Sequence, residues 1–277
     1  MEHQNNKVKK VNCIDHLVTG KSFSLTPDDK YQALRTSPVP NNIEPYYDHP
    51  DYISHQTKHK GLYHKTYSFL RRLNNRYKLK LIKRHVSEQG AILDFGSGTG
   101  AFVDEAHKQG WTAKGFDPIM PASKKIKGLY VNNWVKENHY DCITAWHVLE
   151  HLSKPQEFFS QAHKSLSDKG TLAIALPNYL SFDADYYGED WAAYDVPRHL
   201  WHFTPKGIVD MANDYGFECM EQHPLRLDAY YISLLSEKIR KSRFPWIRAT
   251  IIGARSNCKA NRTGMYSSII YIFKKSK

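Results

Sequence analysis

Three glycines at alternate positions follow a short apolar run in the stretch AILDFGSGTGAF (91–102), and the acid Asp94 stands two residues before the first of them. Glycine tolerates positive φ and lets a ligand approach where a Cβ would collide. The pattern G-x-G-x-G differs from the dinucleotide fingerprint G-x-G-x-x-G in the place of its third glycine, and no Walker-type G-K-[ST] follows. A carboxylate at Asp94 would repel a pyrophosphate but suits an ammonium group. The loop therefore predicts a zwitterionic or cationic ligand.

A second acid, Asp117, ends the next apolar run in the sequence GFDP, twenty-one residues after Gly96. In a βαβ unit, an acid at the end of the second strand accepts hydrogen bonds from the ribose hydroxyls of a ligand. We therefore expect the ligand to carry a ribose.

Alternating strands and helices must position these residues. Apolar runs predict strands at 91–95, 112–117, 128–131, 140–146, 171–177, 217–223 and 266–273. Helical patterns lie at 62–86, 101–109, 155–166 and 204–217. This alternation predicts an α/β fold with a mostly parallel sheet. Residues 225–265 are too many for a hairpin turn and predict an insertion, whereas the proline-rich residues 1–57 predict an irregular N-terminal extension.

The motifs ILDFGSGTGAF, GFDP, YDCITAWHVLEHL and GTLAIALPN, in this order, resemble those of class I S-adenosylmethionine-dependent methyltransferases. The resemblance is closest to the broad group that contains the ubiquinone-biosynthesis O-methyltransferases and uncharacterised bacterial relatives. It implies a Rossmann-like, doubly wound, seven-stranded sheet whose last strand is antiparallel. The methyltransferase domain would then span 58–277, with an amphipathic helix at 62–86, a core at 88–223, a helical insertion at 225–265 and the final strand at 266–273.

The resemblance also implies which residues hold the cofactor S-adenosylmethionine and its product S-adenosylhomocysteine. Asp94 would lie near the ammonium group, Asp117 at the ribose hydroxyls, and Pro118 or Ile119 beside the adenine. Asn132 or Asn133 stands where relatives often have an acid that contacts the adenine amino group. The remaining predicted contacts are Gly96, Ser97, Gly98 and Gly100 with the methionine part, and Ala145 to His147 on the far side.

An aromatic segment, YYGEDWAAYDVPRHLWHFTP (186–205), follows the predicted fifth strand. Open α/β sheets bind ligands beyond the carboxyl ends of their strands. We therefore predict that the segment lines the methyl-acceptor site. The alternative is that its aromatic side chains belong to the core and its histidines bond backbone groups. The predicted acceptor residues are Tyr187, Trp191, Tyr194, Arg198 and Trp201.

Methyl transfer to a hydroxyl requires an aligned nucleophile and a base that removes its proton. His199 and His151 are the predicted bases, because an imidazole titrates near neutral pH. Glu150 and His151 have the alternative role of complementing a helix dipole. Acids in this region bind a divalent metal in some quinone O-methyltransferases, but only part of that pattern is present, so no metal is predicted. Tyr47 and Tyr52 are predicted lid residues, as in relatives.

Charge is unevenly distributed along this chain of net charge +11. Residues 58–85 contain ten Lys/Arg and residues 238–277 contain eleven, with no acid in either segment. The second segment mixes its bases with Phe244, Pro245 and Trp246, which suits either a helix on an anionic membrane surface or an ordinary cap over the substrate site. Scattered cysteines and the lack of a long apolar run predict a cytoplasmic protein, peripheral at the membrane if that helix binds lipid.

Three other functions fit parts of the sequence. The intact glycine loop disfavours a cofactor-binding partner subunit without catalysis. An RNA methyltransferase would use the basic flanks, but no N-P-P-Y-type motif and no RNA-binding module occur, so nucleic acid is not the expected partner. The glycine spacing disfavours an NAD-linked dehydrogenase. We therefore expect a methyltransferase that O-methylates a small-molecule or lipid-linked acceptor.

Overall fold

A computed structural model describes residues 11–47, 62–86, 90–118 and 128–276, with the backbone alone described for 62–70. Its larger sheet has six strands in the order β5-β4-β6-β7-β10-β9. The strands are β4 (Ala91–Phe95), β5 (Thr112–Phe116), β6 (Tyr140–Trp146), β7 (Leu166–Pro177), β9 (Phe217–Pro224) and β10 (Ser268–Lys275).

The pairing of this sheet confirms the doubly wound α/β class. Strands β5, β4, β6 and β7 pair in parallel, whereas β10 is antiparallel to both β7 and β9. The predicted seventh strand at 128–131 is reduced to one bridge between Gly115 and Tyr130. Directly after it the chain turns, because the side chain of Asn133 accepts a hydrogen bond from the backbone N–H of Val135. Six strands therefore replace the predicted seven.

Helices cover both faces of the sheet and bury its alternating side chains. The helices are α1 (Leu62–Ile82), α2 (Ala101–Lys108), α3 (Pro155–Ser165), α4 (Phe182–Tyr187), α5 (Pro205–Asp214), α6 (Arg226–Ile239) and α7 (Pro245–Thr263). Within β7, Leu172 and Ile174 belong to the cluster that includes α3 and α5, whereas Ala173 and Ala175 belong to the cluster that includes α1 and α2. Such period-two alternation is expected of a strand buried on both faces.

The prediction of an irregular extension at residues 1–57 is wrong for residues 11–37, and residues 1–10 and 48–57 lie outside the described residues. Strands β1 (Val11–Ile14), β2 (Ser22–Pro27) and β3 (Ala33–Ser37) form an antiparallel sheet that continues onto β8 (Trp201–Phe203), a strand of the aromatic segment. Pro38, Pro40 and Pro45 all follow β3, so they break no strand. Because β8 completes this sheet, the N-terminal strands are built onto the rest of the fold.

The insertion between β9 and β10 is helical, as predicted, and consists of α6 and α7. A Cβ on Gly253 of α7 would lie 2.7 Å from the Tyr230 ring of α6, so this glycine allows the two helices to pack closely. Among the described residues, no helix is both long enough and apolar enough to cross a membrane. The cytoplasmic location remains a prediction.

Candidate functional site

The glycine loop joins β4 to α2 with a left-handed backbone at each of its glycines. Gly96, Gly98 and Gly100 have φ values of 72°, 52° and 78°. A Cβ on Gly96 would lie 2.5 Å from Val148, whereas a Cβ on Gly98 would meet no atom within 4 Å. Gly96 is therefore required by packing, and Gly98 faces the open side from which a ligand can reach the backbone.

Asp117 and Tyr130 hold the loop from the next two segments of the sheet. The backbone N–H of Gly98 donates to Oδ2 of Asp117 at 2.8 Å, and the Tyr130 hydroxyl donates to the Gly98 carbonyl at 2.6 Å. The structure thus brings the predicted ribose-binding acid to the loop. Sequence reasoning missed Tyr130, although it lies within the predicted strand at 128–131. Pro118 is exposed next to Asp117, and Ile119 lies outside the described residues.

Asp94 is buried beneath the loop, with 2% of its surface exposed. Burial raises the pKa of its carboxyl to about 7, although a hydrogen bond from Thr144 at 2.7 Å and the nearby Lys78 oppose the shift. Burial likewise lowers the pKa of the Lys78 ammonium to about 8, opposed by Asp228 and Asp94. This ammonium lies 4.4 Å from the ring centroid of Trp146. Near pH 7, Asp94 is therefore only partly ionised, whereas Lys78 is mostly a cation, and both groups lie in the core near the loop.

Sequence reasoning also missed Lys78, although helical spacing could have found it. Lys78 shares the inner face of α1 with Asn75, Leu79 and Ile82, at intervals of three and four residues, and all four side chains are buried. A lysine in the middle of an apolar face is uncommon unless it has a charged partner. The position of Lys78 on the apolar face of α1 was therefore the sequence feature that could have identified it.

His147 follows β6 in a left-handed conformation, with φ 56°, and joins two acids. Its Nε2 lies 3.1 Å from Oδ2 of Asp228, and its Nδ1 lies 3.5 Å from Oε1 of Glu150. Burial alone would lower the pKa of His147, but these two contacts raise it to about 9. His147 is therefore a cation at neutral pH. Ala145, two residues earlier, is fully buried in the main core.

His151 and His199, the two predicted bases, lie together with ring centroids 4.5 Å apart. Nδ1 of His151 lies 3.1 Å from the Arg198 carbonyl and 3.1 Å from the Tyr47 hydroxyl. Nδ1 of His199 lies 2.9 Å from the Ala193 carbonyl. Because a carbonyl only accepts, these contacts assign the proton of each neutral ring to Nδ1 and leave Nε2 as an acceptor.

The environment keeps His199 uncharged. Burial, together with the neighbouring His151, lowers the pKa of His199 to about 4, against the opposing charges of Asp195 and Glu150. Its Nε2 lies 3.9 Å from Oδ2 of Asp195. His199 is therefore a neutral acceptor across the physiological pH range.

In the described part of the chain, Glu150, His151 and His199 form a group that could hold a metal ion. Their ligand atoms lie within 4.8 Å of one another. A carboxylate with two neutral imidazoles is a donor set that suits divalent metals. The sequence analysis predicted no metal at this place, and that remains a prediction. The geometry of these three residues would accommodate a metal ion.

Most aromatic side chains of the aromatic segment belong to the protein core and do not line an open site for the methyl acceptor. Tyr187, Trp191, Tyr194 and Trp201 are buried, the Tyr187 hydroxyl donates to Glu237, and the Trp191 indole donates to Asp183. Their predicted contact with substrate is therefore not supported by their positions. The physical reason is that this segment packs against the N-terminal sheet and α6, and local sequence patterns do not record such packing between distant segments.

Five further predicted residues are placed as follows. Arg198 is buried and pairs with Asp15 at 3.4 Å and with Asp195 at 2.6 Å, so it ties the N-terminal sheet to the aromatic segment. Asn133 is exposed, and Ser97 is buried against Gly115, where a Cβ would lie 2.4 Å from its hydroxyl. The predicted lid residue Tyr47 contacts His151, whereas Tyr52 lies outside the described residues.

Known proteins resemble this chain in sequence and in fold. A family model described as a methyltransferase domain matches residues 66–222. A ubiquinone biosynthesis O-methyltransferase from Rickettsia bellii is 25% identical over 171 residues, which cover 54% of this chain and 70% of that protein. The SAM-dependent methyltransferase from Archaeoglobus fulgidus has a TM-score of 0.51 at 17% identity, over 78% of this chain and 100% of its own.

A second solved structure covers more of the chain. Phosphoethanolamine N-methyltransferase 2 from Haemonchus contortus, in complex with S-adenosyl-L-methionine, has a TM-score of 0.53 at 17% identity. The match covers 88% of this chain and 62% of that one. At such identities the structural likeness shows a shared fold.

Proposed function

This chain belongs to the methyltransferase family whose domain matches residues 66–222, and we propose that it methylates a hydroxyl group of a small-molecule or lipid-linked acceptor. It is an S-adenosylmethionine-dependent methyltransferase. The O-methylation proposal is supported by the relative from Rickettsia bellii, which is named an O-methyltransferase. The observation that carries it is the pair of imidazoles of His151 and His199, whose ring centroids lie 4.5 Å apart. His151 lies three residues after Val148, which packs against Gly96 of the glycine loop.

The residues around the loop fit this cofactor. Gly98 presents backbone to open space, where a Cβ would obstruct a ligand. Asp94, once ionised, would hold the ammonium group, and Asp117, fixed by the N–H of Gly98, would hold ribose hydroxyls. Lys78 offers a positive charge for a carboxylate. When bound, the cofactor supplies a methyl group on a positively charged sulfur.

A nearby base must accept the proton that a hydroxyl loses on methylation. In the proposed reaction the cofactor would supply its sulfur-bound methyl group to the acceptor oxygen, and the proton of that oxygen would move to Nε2 of His199 or His151. Glu150 and Asp195 oppose the lowering of the His199 pKa. The same two carboxylates would stabilise the imidazolium that forms.

Cofactor binding is tested by calorimetric titration with S-adenosylmethionine and S-adenosylhomocysteine. We expect both to bind the wild type and Asp117→Ala to bind at least about tenfold more weakly, because hydrogen bonds to a charged group are lost. Asp168→Ala, an exposed acid on β7, is the matched control and should bind normally. A wild type that binds neither compound would contradict the assignment of the cofactor.

The acceptor is then sought by mass spectrometry, as products that are one methylene heavier after incubation with cell extracts. With that acceptor, His199→Ala and His151→Ala should keep cofactor affinity and lose about 10²-fold or more in turnover for whichever is the base. His139→Ala, an exposed histidine, is the control. Undiminished turnover in both variants would remove these residues from the mechanism.

A further inference from the structure

The start of α7 and the turn before it carry a cluster of exposed large apolar side chains, here called the α7 face. It consists of Phe244, Trp246, Ile247 and Ile251, which are 55%, 56%, 61% and 52% exposed. In the described part of the chain, eleven large hydrophobic residues are exposed, and these four fall within eight positions. Single exposed apolar residues are ordinary, but a contiguous group marks a contact surface.

Packing within the protein does not require this face. The opposite side of α7 is buried, with Ala249, Ile252 and Ala260 turned to the interior. Close packing at Gly253 anchors α7 on α6. The α7 face therefore belongs to a rigid, well-supported helix and points away from the core.

Exposed bases surround the α7 face, and no acid occurs in residues 238–277. Two of the bases have internal partners, since Arg240 pairs with Asp190 and Arg248 with Glu237. Lys241 and Arg243 are exposed in the turn that precedes the helix, and Lys259 is exposed further along it. An apolar patch with aromatic residues and a basic rim complements the surface of an anionic bilayer, whose boundary region accepts Trp and Phe side chains.

We propose that the α7 face docks this enzyme onto membranes that carry anionic lipid. Phe244, Trp246 and Ile247 enter the boundary between headgroups and acyl chains, while Lys241 and Arg243 contact lipid phosphates. The helix lies on the bilayer and does not cross it. The proposal concerns the location of the enzyme, so it holds whether or not the methyl acceptor is a lipid.

The test is co-sedimentation of the full chain with vesicles of phosphatidylcholine, with and without phosphatidylglycerol. We expect binding to the anionic vesicles that weakens as salt is added, because the bases are screened. The double variant Phe244→Ser/Ile247→Ser should reduce the bound-to-free ratio about tenfold or more, because two exposed apolar side chains no longer enter the bilayer. Lys241→Gln/Arg243→Gln should reduce it about thirtyfold, because each base near an anionic surface contributes about 1 kcal/mol.

Two variants control for general loss of surface apolarity or charge. Met220→Ser replaces an equally exposed apolar residue on β9, which is 52% exposed. Lys206→Gln removes an exposed base on α5 that pairs with Asp210. Both should bind vesicles as the wild type does. Because all the replaced side chains are exposed, unfolding temperatures should stay unchanged across the set.

Tryptophan fluorescence reports which residue meets the lipid. Trp246 is the exposed tryptophan, whereas the other five are buried or partly buried: Trp111, Trp134, Trp146, Trp191 and Trp201. Brominated phosphatidylglycerol should quench the wild type, and Trp246→Phe should remove that quenching while binding persists.

Three results would overturn the proposal. One is equal sedimentation with neutral and anionic vesicles, or with neither. Another is a dimer in solution that Phe244→Ser/Ile247→Ser dissociates, which would make the α7 face an interface between copies. The last is salt-sensitive binding of RNA in place of vesicles. In each case cofactor titration would be unaffected, so this failure is distinct from failure of the proposed methyltransferase chemistry.

Discussion

Replacing Asp94 with asparagine is expected to stabilise the protein against unfolding while weakening its affinity for the cofactor. Burial raises the pKa of the Asp94 carboxyl from 3.8 to about 7. Between these values the folded protein holds a proton that the unfolded chain has released. Wild-type stability therefore falls as pH rises through this window, by about 1.4 kcal/mol per pH unit, and levels off above about pH 7.

Asparagine cannot ionise, so the variant escapes this part of the pH dependence. From about pH 5.5 to about pH 7 the stability of Asp94→Asn relative to wild type should rise by about 2 kcal/mol, which is 1.5 units at 1.4 kcal/mol each. For a chain of this size that corresponds to about 4 °C in melting temperature. The hydrogen bond from Thr144 can be kept, because an amide oxygen also accepts.

The assay is thermal unfolding of both proteins, without cofactor, at several pH values from about 5.5 to about 8.5. Asp168→Asn, at an exposed position on β7, is the matched control and should show no change in its difference from wild type with pH. Calorimetry with S-adenosylmethionine should show weaker binding to Asp94→Asn, since a neutral amide does not neutralise an ammonium group. A stability difference between Asp94→Asn and wild type that is independent of pH would refute the reasoning.

Three further predictions concern the loop and the histidine beside it. Gly98→Ala and Gly264→Ala place alanine at positive φ, at 52° and 76°, with open space around it. Both variants should lose about 1 kcal/mol of stability, but only Gly98→Ala should weaken cofactor binding in calorimetry. Tyr130→Phe removes the hydrogen bond to the Gly98 carbonyl and should weaken cofactor binding about fivefold, and equal affinity would show that this bond does not order the loop. Asp228→Asn removes the charge that helps raise the pKa of His147 to about 9, so NMR titration of the ring should give a lower pKa; an unmoved value would mean that Glu150 alone sets it.

The amino-acid sequence by itself determined the alternation of strands and helices in the larger sheet of this protein. Strand runs and helical spacing predicted the mostly parallel sheet and an insertion before its last strand, because each depends on local periodicity that burial imposes. The antiparallel direction of the last strand was implied by the family resemblance. The glycine loop with Asp94, and Asp117 at the end of the next strand, were readable for the same reason. Short, adjacent elements of one sheet bring their ends to one edge.

Tertiary structure alone decided which distant segments meet. The N-terminal strands pair with β8 across more than 160 residues of chain, and the aromatic segment that was predicted to line the acceptor site is largely buried. The electrostatic interaction of Lys78 with Asp94, and the contact of Asp228 with His147, likewise join separate elements and set the charges of the site. Local patterns record whether a side chain is buried, but the partner that neutralises or bonds it is chosen by long-range packing, which spacing along the chain does not encode.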